Sequence, residues 1–111
     1  MPGKFEIKRA KDGEYYFNLL AGNNEIILTS EMYRAKASAK NGIESVKKNS
    51  ALDERFERKE GKKGKPFFVL KARNREVIGR SEMYESERAR EGGITSVKNN
   101  APTAKVEDLT K

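Results

Sequence analysis

An internal repeat limits the possible folds of this 111-residue chain more than any other feature. When the sequence is shifted by 51 residues, positions 5–49 align with positions 56–100 without a gap, and 21 of the 45 aligned pairs are identical. The segment SEMY occurs at 30–33 and again at 81–84. Similarity of this extent indicates duplication. We therefore expect a single domain, residues 1–111, made of a first repeat (4–55) and a second repeat (56–109).

Each repeat has the pattern of three strands followed by a helix. The three strand candidates of the first repeat are rich in β-branched and aromatic residues, and short Gly- and Asn-containing turns separate them. They are FEIKR (5–9), YYFNLLA (15–21) and EIILT (25–29). After SEMY the apolar period becomes helical, with Ala39, Gly42 and Val46 on one stripe. Ser86 is suited to cap the second helix, whereas its counterpart Ala35 is not.

The segments that follow the two helices, residues 51–60 and 101–110, have the pattern of a further strand in each repeat. Three strands and one helix bury too little surface to be stable alone. We therefore predict an α+β fold in which two tandem β3-α-β repeats form one antiparallel sheet. Two helices cover one face, the halves are related by a pseudo-twofold axis, and the C-terminal strands are exchanged.

The composition argues against several functional classes. The chain contains no Cys and no His, so thiol chemistry and the commonest general base and metal ligand are missing. No apolar segment reaches the roughly 20 residues that span a bilayer, and the N-terminus lacks the apolar part of a signal peptide. We expect a cytoplasmic, non-enzymatic protein with no cofactor and no metal. Proton transfer by Glu31 with Tyr33, or by their repeat partners, is the weakest hypothesis.

The two SEMY segments are interpreted as the junction between the third strand and the helix of each repeat. Their serines can bond nearby backbone groups, and Met and Tyr can pack beneath the incoming helix. The alternative is that the Glu and Tyr side chains form a pair of ligand sites. The junction residues are Ser30, Glu31, Tyr33, Ser81, Glu82 and Tyr84.

The repeated pattern resembles that of the YegP-like family of small bacterial proteins. The resemblance extends from Phe5 to about Asn100 and is most specific at SEMY, at NGIESVK (41–47) and at GITSVK (93–98). It implies two β3-α-β units with one shared sheet and exchanged C-terminal strands, and members with one copy that pairs or with two in tandem. It implies no known activity and no catalytic residues. The two repeats differ at some positions of this pattern, which argues against two equivalent sites. The second repeat has Arg58 where the first has Ile7, and Gly92 where the first has Asn41.

The sheet face opposite the helices is the candidate binding surface. Phe17 and Leu19 share one parity and are expected to face the helices, so residues of the other parity lie on an open face. An open sheet with aromatic and basic side chains can bind single-stranded nucleic acid. The candidate residues are Lys8, Tyr16, Lys59, Phe67, Val69, Lys71, Arg73 and Arg75, together with the basic turn at 62–65.

Other interpretations of the same residues stay open. The net charge of +7, of which residues 56–111 carry the larger part, can attract a polyanion or serve only as a solvated surface. Tyr16 and Phe67 can pack against each other or against a partner, and Leu20 and Val69 can add to a protein-binding patch. We predict a small binding or interaction module, monomeric with an internal pseudo-dimer. Its ligand, whether nucleic acid or protein, is not specified by the sequence.

Overall fold

Seven strands and two helices lie along residues 3–111, which a computed structural model describes, and three strands precede each helix as predicted. Met1 and Pro2, which belong to the predicted domain and N-terminal segment, lie outside the described residues. The elements are β1 (Lys4–Arg9), β2 (Tyr15–Leu20), β3 (Ile26–Ser30), α1 (Lys36–Asn49), β4 (Phe56–Glu60), β5 (Pro66–Lys71), β6 (Val77–Arg80), α2 (Glu87–Asn100) and β7 (Lys105–Asp108). Each strand predicted in the first repeat agrees with an observed one to within one residue at either end.

All seven strands form one sheet in the order β4-β5-β6-β3-β2-β1-β7. The two repeats meet at the β3–β6 pair, where Thr29 lies opposite Arg80 and Ser30 opposite Gly79. Each repeat therefore contributes a three-stranded meander to a common sheet. The α+β fold with two helices and one shared sheet is confirmed.

The C-terminal strands differ from the expectation in two details. β7 pairs with β1 of the first repeat, but the pairing is parallel, so the sheet is mixed and not wholly antiparallel. The first repeat has no separate C-terminal strand, because residues Asp53–Arg55 form a 3-10 turn that leads directly into β4. One strand is thus exchanged where two were expected. The chain between α1 and β4 is too short to form a strand of its own before it enters the second repeat.

Both helices cover the same face of the sheet. The strand register places Phe17, Ser30, Gly79 and Leu70 in one row across this face. Phe17 and Leu19, with their repeat partners Phe68 and Leu70, are fully buried as predicted. A β-bulge between Leu19 and Leu20, repeated between Leu70 and Lys71, interrupts the register near the outer end of each meander.

The helix ends follow from local sequence. Ser86 caps α2, and its hydroxyl accepts a hydrogen bond from the Ala89 amide at 3.0 Å. Ala35 precedes α1 without a side-chain cap, as predicted. Within residues 3–111 neither helix has the length and apolar character needed to cross a bilayer.

Candidate functional site

The helix-free face of the sheet carries a row of side chains that crosses both repeats. The register aligns Glu6, Asn18, Thr29, Arg80, Val69 and Glu57 in that order. In the first repeat the row is internally bonded, since Lys8 donates to the Asn18 amide oxygen at 2.9 Å and the Asn18 amide donates to Thr29 Oγ1 at 2.9 Å. Arg80, at the centre of the face, is exposed and has no carboxylate within 4.0 Å among residues 3–111.

Val69 and Leu20 do not contribute an exposed apolar patch, and this part of the prediction is wrong. Val69 is 2% exposed and Leu20 is 7% exposed, although no helix lies over them. Val69 lies between Glu57 and Arg80 across the sheet and between Phe67 and Lys71 along its strand. Long side chains of this kind cover apolar neighbours with their stems while their polar ends stay in water. Val69 is therefore a structural residue of this face.

Tyr16 and Phe67 are both half-buried on the helix-free face, but they do not form a joint platform. They lie on β2 and β5, three strand spacings apart, and on opposite sides of the central row. Strand spacing and residue rise place them about 20 Å from each other. They therefore cannot pack together, and each has its own lysine neighbour across the strand pair, Lys8 and Lys59 respectively.

Three of the predicted cations are engaged with carboxylates. Lys71 lies 2.6 Å from Glu57, and Lys59 lies 3.7 Å from the same carboxylate. The Lys71 ammonium beside Glu57 lowers the pKa of this carboxyl below its ordinary value. In the first repeat Lys8 lies 3.7 Å from Glu6. These lysines lie where they were predicted, but part of their charge is already neutralised.

Arg73 and Arg75 are the freest of the predicted cations. They lie in the β5–β6 turn, where Arg75 has a φ of 71°, and both are exposed. No carboxylate lies within 4.0 Å of either guanidinium in the described part of the chain. The turn borders a cleft of about 390 Å³ whose lining also includes Arg55 and Lys71. Arg55 was missed by sequence reasoning, because only the tertiary structure brings the start of β4 next to this turn.

The β4–β5 turn carries the other free cations, Lys62 and Lys63, on a tight 3-10 turn. Neither has a carboxylate within 4.0 Å along residues 3–111. Next to this turn, Phe67 and the exposed Met83 both approach Gly61. The half-buried Phe67 and the exposed Met83 form a partly exposed apolar spot at the basic end of the hairpin.

Most of the cations of the helix-free side therefore lie in the second repeat or at the residue just before it, and we call this set the second-repeat surface. It consists of Arg55, Lys59, Lys62, Lys63, Phe67, Lys71, Arg73, Arg75 and Arg80. The eight basic positions correspond in the first repeat to Lys4, Lys8, Lys11, Asp12, Leu20, Gly22, Asn24 and Thr29. Eight cations thus replace three cations and one carboxylate. The surplus positive charge is localised and does not follow from the duplicated pattern.

The junction residues are mainly structural. The Ser30 hydroxyl accepts from the Phe17 amide at 2.9 Å and donates to the Glu31 carbonyl at 2.8 Å, and Ser81 makes the equivalent bonds. Tyr33 and Tyr84 stack on Phe17 and Phe68, with ring centroids 6.3 Å apart in each case. The methionines of SEMY do not pack beneath the helices as predicted, because Met32 and Met83 are about half exposed.

Two grooves at the boundary between the repeats adjoin these junctions. One contains Tyr33 and Glu31 opposite Glu76, and its counterpart contains Tyr84 and Glu82 opposite Glu25. Burial, followed by the nearby carboxylates, raises the pKa of both tyrosines above the ordinary value. Glu31 and Glu82 are exposed. No group of three or more possible metal ligands occurs among the residues that the structure describes.

Comparison with known proteins agrees with this architecture. Residues 10–57 and 62–108 each match the family described as a domain of unknown function, DUF1508. A UPF0339 protein of Acinetobacter baylyi is 62% identical over 110 residues, which cover 99% of both chains. The UPF0339 protein YegP of Yersinia pestis is 54% identical over 108 residues, covering 97% of this chain and 96% of its own.

Two solved structures have the same fold. The solution NMR structure of a UPF0339 protein from Shewanella oneidensis has a TM-score of 0.92 and 46% identity, covering 98% of this chain and 92% of that one. The solution NMR structure of YegP from E. coli, described as a protein of unknown function, has a TM-score of 0.93 and 48% identity, with 98% and 94% coverage. None of these names states an activity. The chain belongs to the YegP-like UPF0339 family and matches the DUF1508 domain twice.

Proposed function

We propose that this protein is a non-catalytic binding module that binds single-stranded nucleic acid along the second-repeat surface. The observation that carries the proposal is the concentration of eight cations around one hairpin, five of them without a carboxylate partner in residues 3–111. The five are Lys62, Lys63, Arg73, Arg75 and Arg80. Their charge is available to backbone phosphates, which supply most of the affinity of sequence-independent binding.

Phe67 supports a single strand as the ligand. It is half-buried, lies between the two basic turns and faces away from the helices. An aromatic ring in a basic groove stacks with an unpaired base, and this contact tolerates any sequence. A duplex would present only its phosphates to this surface. Single-stranded RNA is abundant in the cytoplasm, which is the compartment that we expect for this chain.

Binding is tested by fluorescence anisotropy of a labelled mixed-sequence oligonucleotide at about 50 and 200 mM salt. Four phosphate contacts give a slope of about −3 in log K against log salt, so affinity should fall about 50-fold over this range. Lys62→Glu should weaken binding at least fivefold. Lys11→Glu, at the equivalent position of the first repeat, should change it less than twofold. Salt-independent binding, or equal effects of the two substitutions, would overturn the proposal.

The aromatic contact has its own matched pair of variants. Phe67→Leu removes the stacking ring while keeping an apolar side chain, and should weaken binding about five- to tenfold. Tyr16→Leu makes the corresponding change on the opposite side of the central row. A larger loss for Tyr16→Leu would place the strand on the first repeat and contradict the assigned surface.

A protein partner is the second candidate, favoured by the partly exposed apolar spot of Phe67 and Met83. An apolar spot next to lysines is suited to an amphipathic, acidic partner. Pull-down from lysate with and without nuclease separates the two candidates, because partners held through nucleic acid are lost after digestion. We expect the isolated protein to sediment as a 12.6 kDa monomer at all concentrations.

A further inference from the structure

The cleft at one end of the second-repeat surface has features of a specific anion site. It measures about 390 Å³ and lies between the start of β4 and the β5–β6 turn. Arg55, Lys71, Arg73 and Arg75 line it, together with Glu54 and Glu57. The cations outnumber the carboxylates two to one, so the cleft keeps a positive charge.

The Arg55 side chain has an unused hydrogen-bond donor in this cleft. Its Nε atom is buried and has no hydrogen-bond partner among residues 3–111. Its nearest carboxylate is Glu54, 3.9 Å from the Nη1 atom, with a Glu54 side chain that is 75% exposed. A buried guanidinium donor without an acceptor is unfavourable, so a ligand oxygen that reached it would gain a well-defined hydrogen bond.

The first repeat shows what the second one lacks at this point. Lys4, the counterpart of Arg55, lies 3.3 Å from Glu6 and 3.7 Å from Glu107. Glu107 belongs to β7, the strand that pairs with β1. No strand of residues 3–111 lies on the outer side of β4, because the first repeat forms no C-terminal strand. Arg55 therefore has no counterpart of Glu107, and an external anion can occupy that position.

The carboxylates within the cleft do not fill this role. Glu57 Oε1 is buried and makes no hydrogen bond among residues 3–111, but its charge is compensated because Lys71 lies 2.6 Å away and Lys59 lies 3.7 Å away. Glu54 extends into solvent. Arg55, Arg73 and Arg75 are left as three guanidinium groups around one cavity. Planar guanidinium groups pair with phosphate oxygens through two parallel hydrogen bonds, a geometry that lysine cannot provide.

Resting on the proposed function, we propose that this cleft binds a phosphate monoester, such as the terminal phosphate of the nucleic-acid strand. A monoester has three unsubstituted oxygens and nearly two negative charges at neutral pH, which match three arginines better than an internal diester does. The cleft lies at the end of the hairpin surface, where a bound strand can terminate. An internal phosphodiester and free phosphate share part of this chemistry, and the test separates them.

The first experiment uses inorganic phosphate alone and follows backbone amide shifts by NMR. We expect saturable shifts at the β5–β6 turn, with affinity higher at pH 7.5 than at pH 5.5 because a larger share of inorganic phosphate is the dianion at the higher pH. Arg55→Gln and Arg75→Asn should each weaken binding at least tenfold. Asn is the residue at the equivalent position 24, which also has a positive φ, so Arg75→Asn preserves the turn. Lys4→Gln is the matched control and should have no effect.

The second experiment compares oligonucleotides of one sequence with a 5′-phosphate, a 3′-phosphate or hydroxyl groups at both ends. One phosphorylated end should raise affinity at least fivefold, and Arg55→Gln should remove only this gain. Equal affinity for all three, with no shifts from inorganic phosphate, would overturn the cleft assignment even if Lys62 still mediates oligonucleotide binding. Phosphate binding without any oligonucleotide binding would instead support the cleft and reject the proposed function.

Discussion

The ring of Tyr33 lies directly on Gly42 of α1, and the ring of Tyr84 lies in the same way on Gly93 of α2. A β-carbon at position 42 would approach the phenol oxygen, would lie 2.9 Å from Tyr33 Cζ and would lie 3.0 Å from Phe17 Cε2. At position 93 the corresponding distance to Tyr84 Cζ is 2.6 Å. Glycine in mid-helix is therefore required by the close packing of helix, junction tyrosine and sheet.

Substitution of these glycines should destabilise the fold although alanine favours helix. Gly42→Ala gains about 1 kcal/mol of helix propensity, but overpacking of this site typically costs about 1–3 kcal/mol, so we expect a net loss of up to about 2 kcal/mol. Gly93→Ala should lower the free energy of unfolding by a similar amount. The measurement is the free energy of unfolding in urea.

Gly92 is the control for this pair of substitutions. It is the neighbour of Gly93 in α2, is exposed, and has no atom within 4 Å of the position that a β-carbon would take. Gly92→Ala should therefore stabilise the protein by about 0.5–1 kcal/mol. Stabilisation by Gly42→Ala of similar size would show that the tyrosine ring moves freely and does not fix the helix.

The junction serines should matter through one buried hydrogen bond each. Ser30→Ala leaves the Phe17 amide without its acceptor, and Ser81→Ala does the same to the Phe68 amide. A buried donor left unpaired costs about 1–3 kcal/mol. Ser38→Ala, on the exposed side of α1, should change the unfolding free energy by less than about 0.5 kcal/mol. Equal effects of Ser30→Ala and Ser38→Ala would contradict this role.

The ion cluster around Asp53 predicts a loss of stability in acid. Lys98 donates to Asp53 at 2.7 Å and Arg58 at 3.1 Å, and these bonds lower the Asp53 pKa to about 2 from an ordinary 3.8. Because the folded pKa is the lower one, the contribution is fully present above about pH 5 and is lost as the pH falls towards 2.

Asp53→Asn should therefore flatten the dependence of unfolding free energy on pH between about 5 and 2. The cluster is exposed, so salt at about 1 M should reduce the same slope in the unsubstituted protein. An unchanged slope in Asp53→Asn would show that other carboxylates cause the acid sensitivity. One of them is Asp108, because hydrogen bonds from Thr110 and Lys36 also lower its pKa.

Removal of residues 105–111 should destabilise the protein by about 2–4 kcal/mol, because the backbone pairing of β1 with β7 would be lost. The Lys36–Asp108 pair, 2.9 Å apart, would be lost with it. Val106→Thr is the control, since this side chain is 45% exposed and its loss should matter little. If the truncated chain has an unchanged urea midpoint, β7 contributes little to the stability of the fold.

Several features of the structure were predictable because they depend on local pattern repeated twice. The three strands before SEMY, the helix after it and the burial of Phe17 and Leu19 follow from alternation and helical period. Agreement between equivalent positions of the repeats strengthened each assignment. The Ser86 cap was predictable because a serine directly before a segment with helical apolar spacing favours a helix start.

The single parallel strand and the burial of Val69 were not predictable from the local sequence pattern. Whether residues 51–60 form one strand or two depends on the distance between the end of α1 and the edge of the sheet. That distance is a property of the tertiary structure. Val69 has the parity of an open face, yet it is 2% exposed between its long-chain neighbours Glu57 and Arg80. The distance between Tyr16 and Phe67 likewise depends on strand order.

The sequence by itself determined the duplication, the class of fold and the face that packs against the helices. All three follow from the spacing of repeated and apolar residues along the chain. The tertiary structure alone decided which of the second repeat's cations lie together and which are paired with carboxylates. It joined Arg55 to Arg73 and Arg75, which are distant along the chain, and it placed β7 beside β1 while leaving β4 as an edge. The physical reason is that one connecting segment cannot serve as the last strand of one repeat and the first strand of the next.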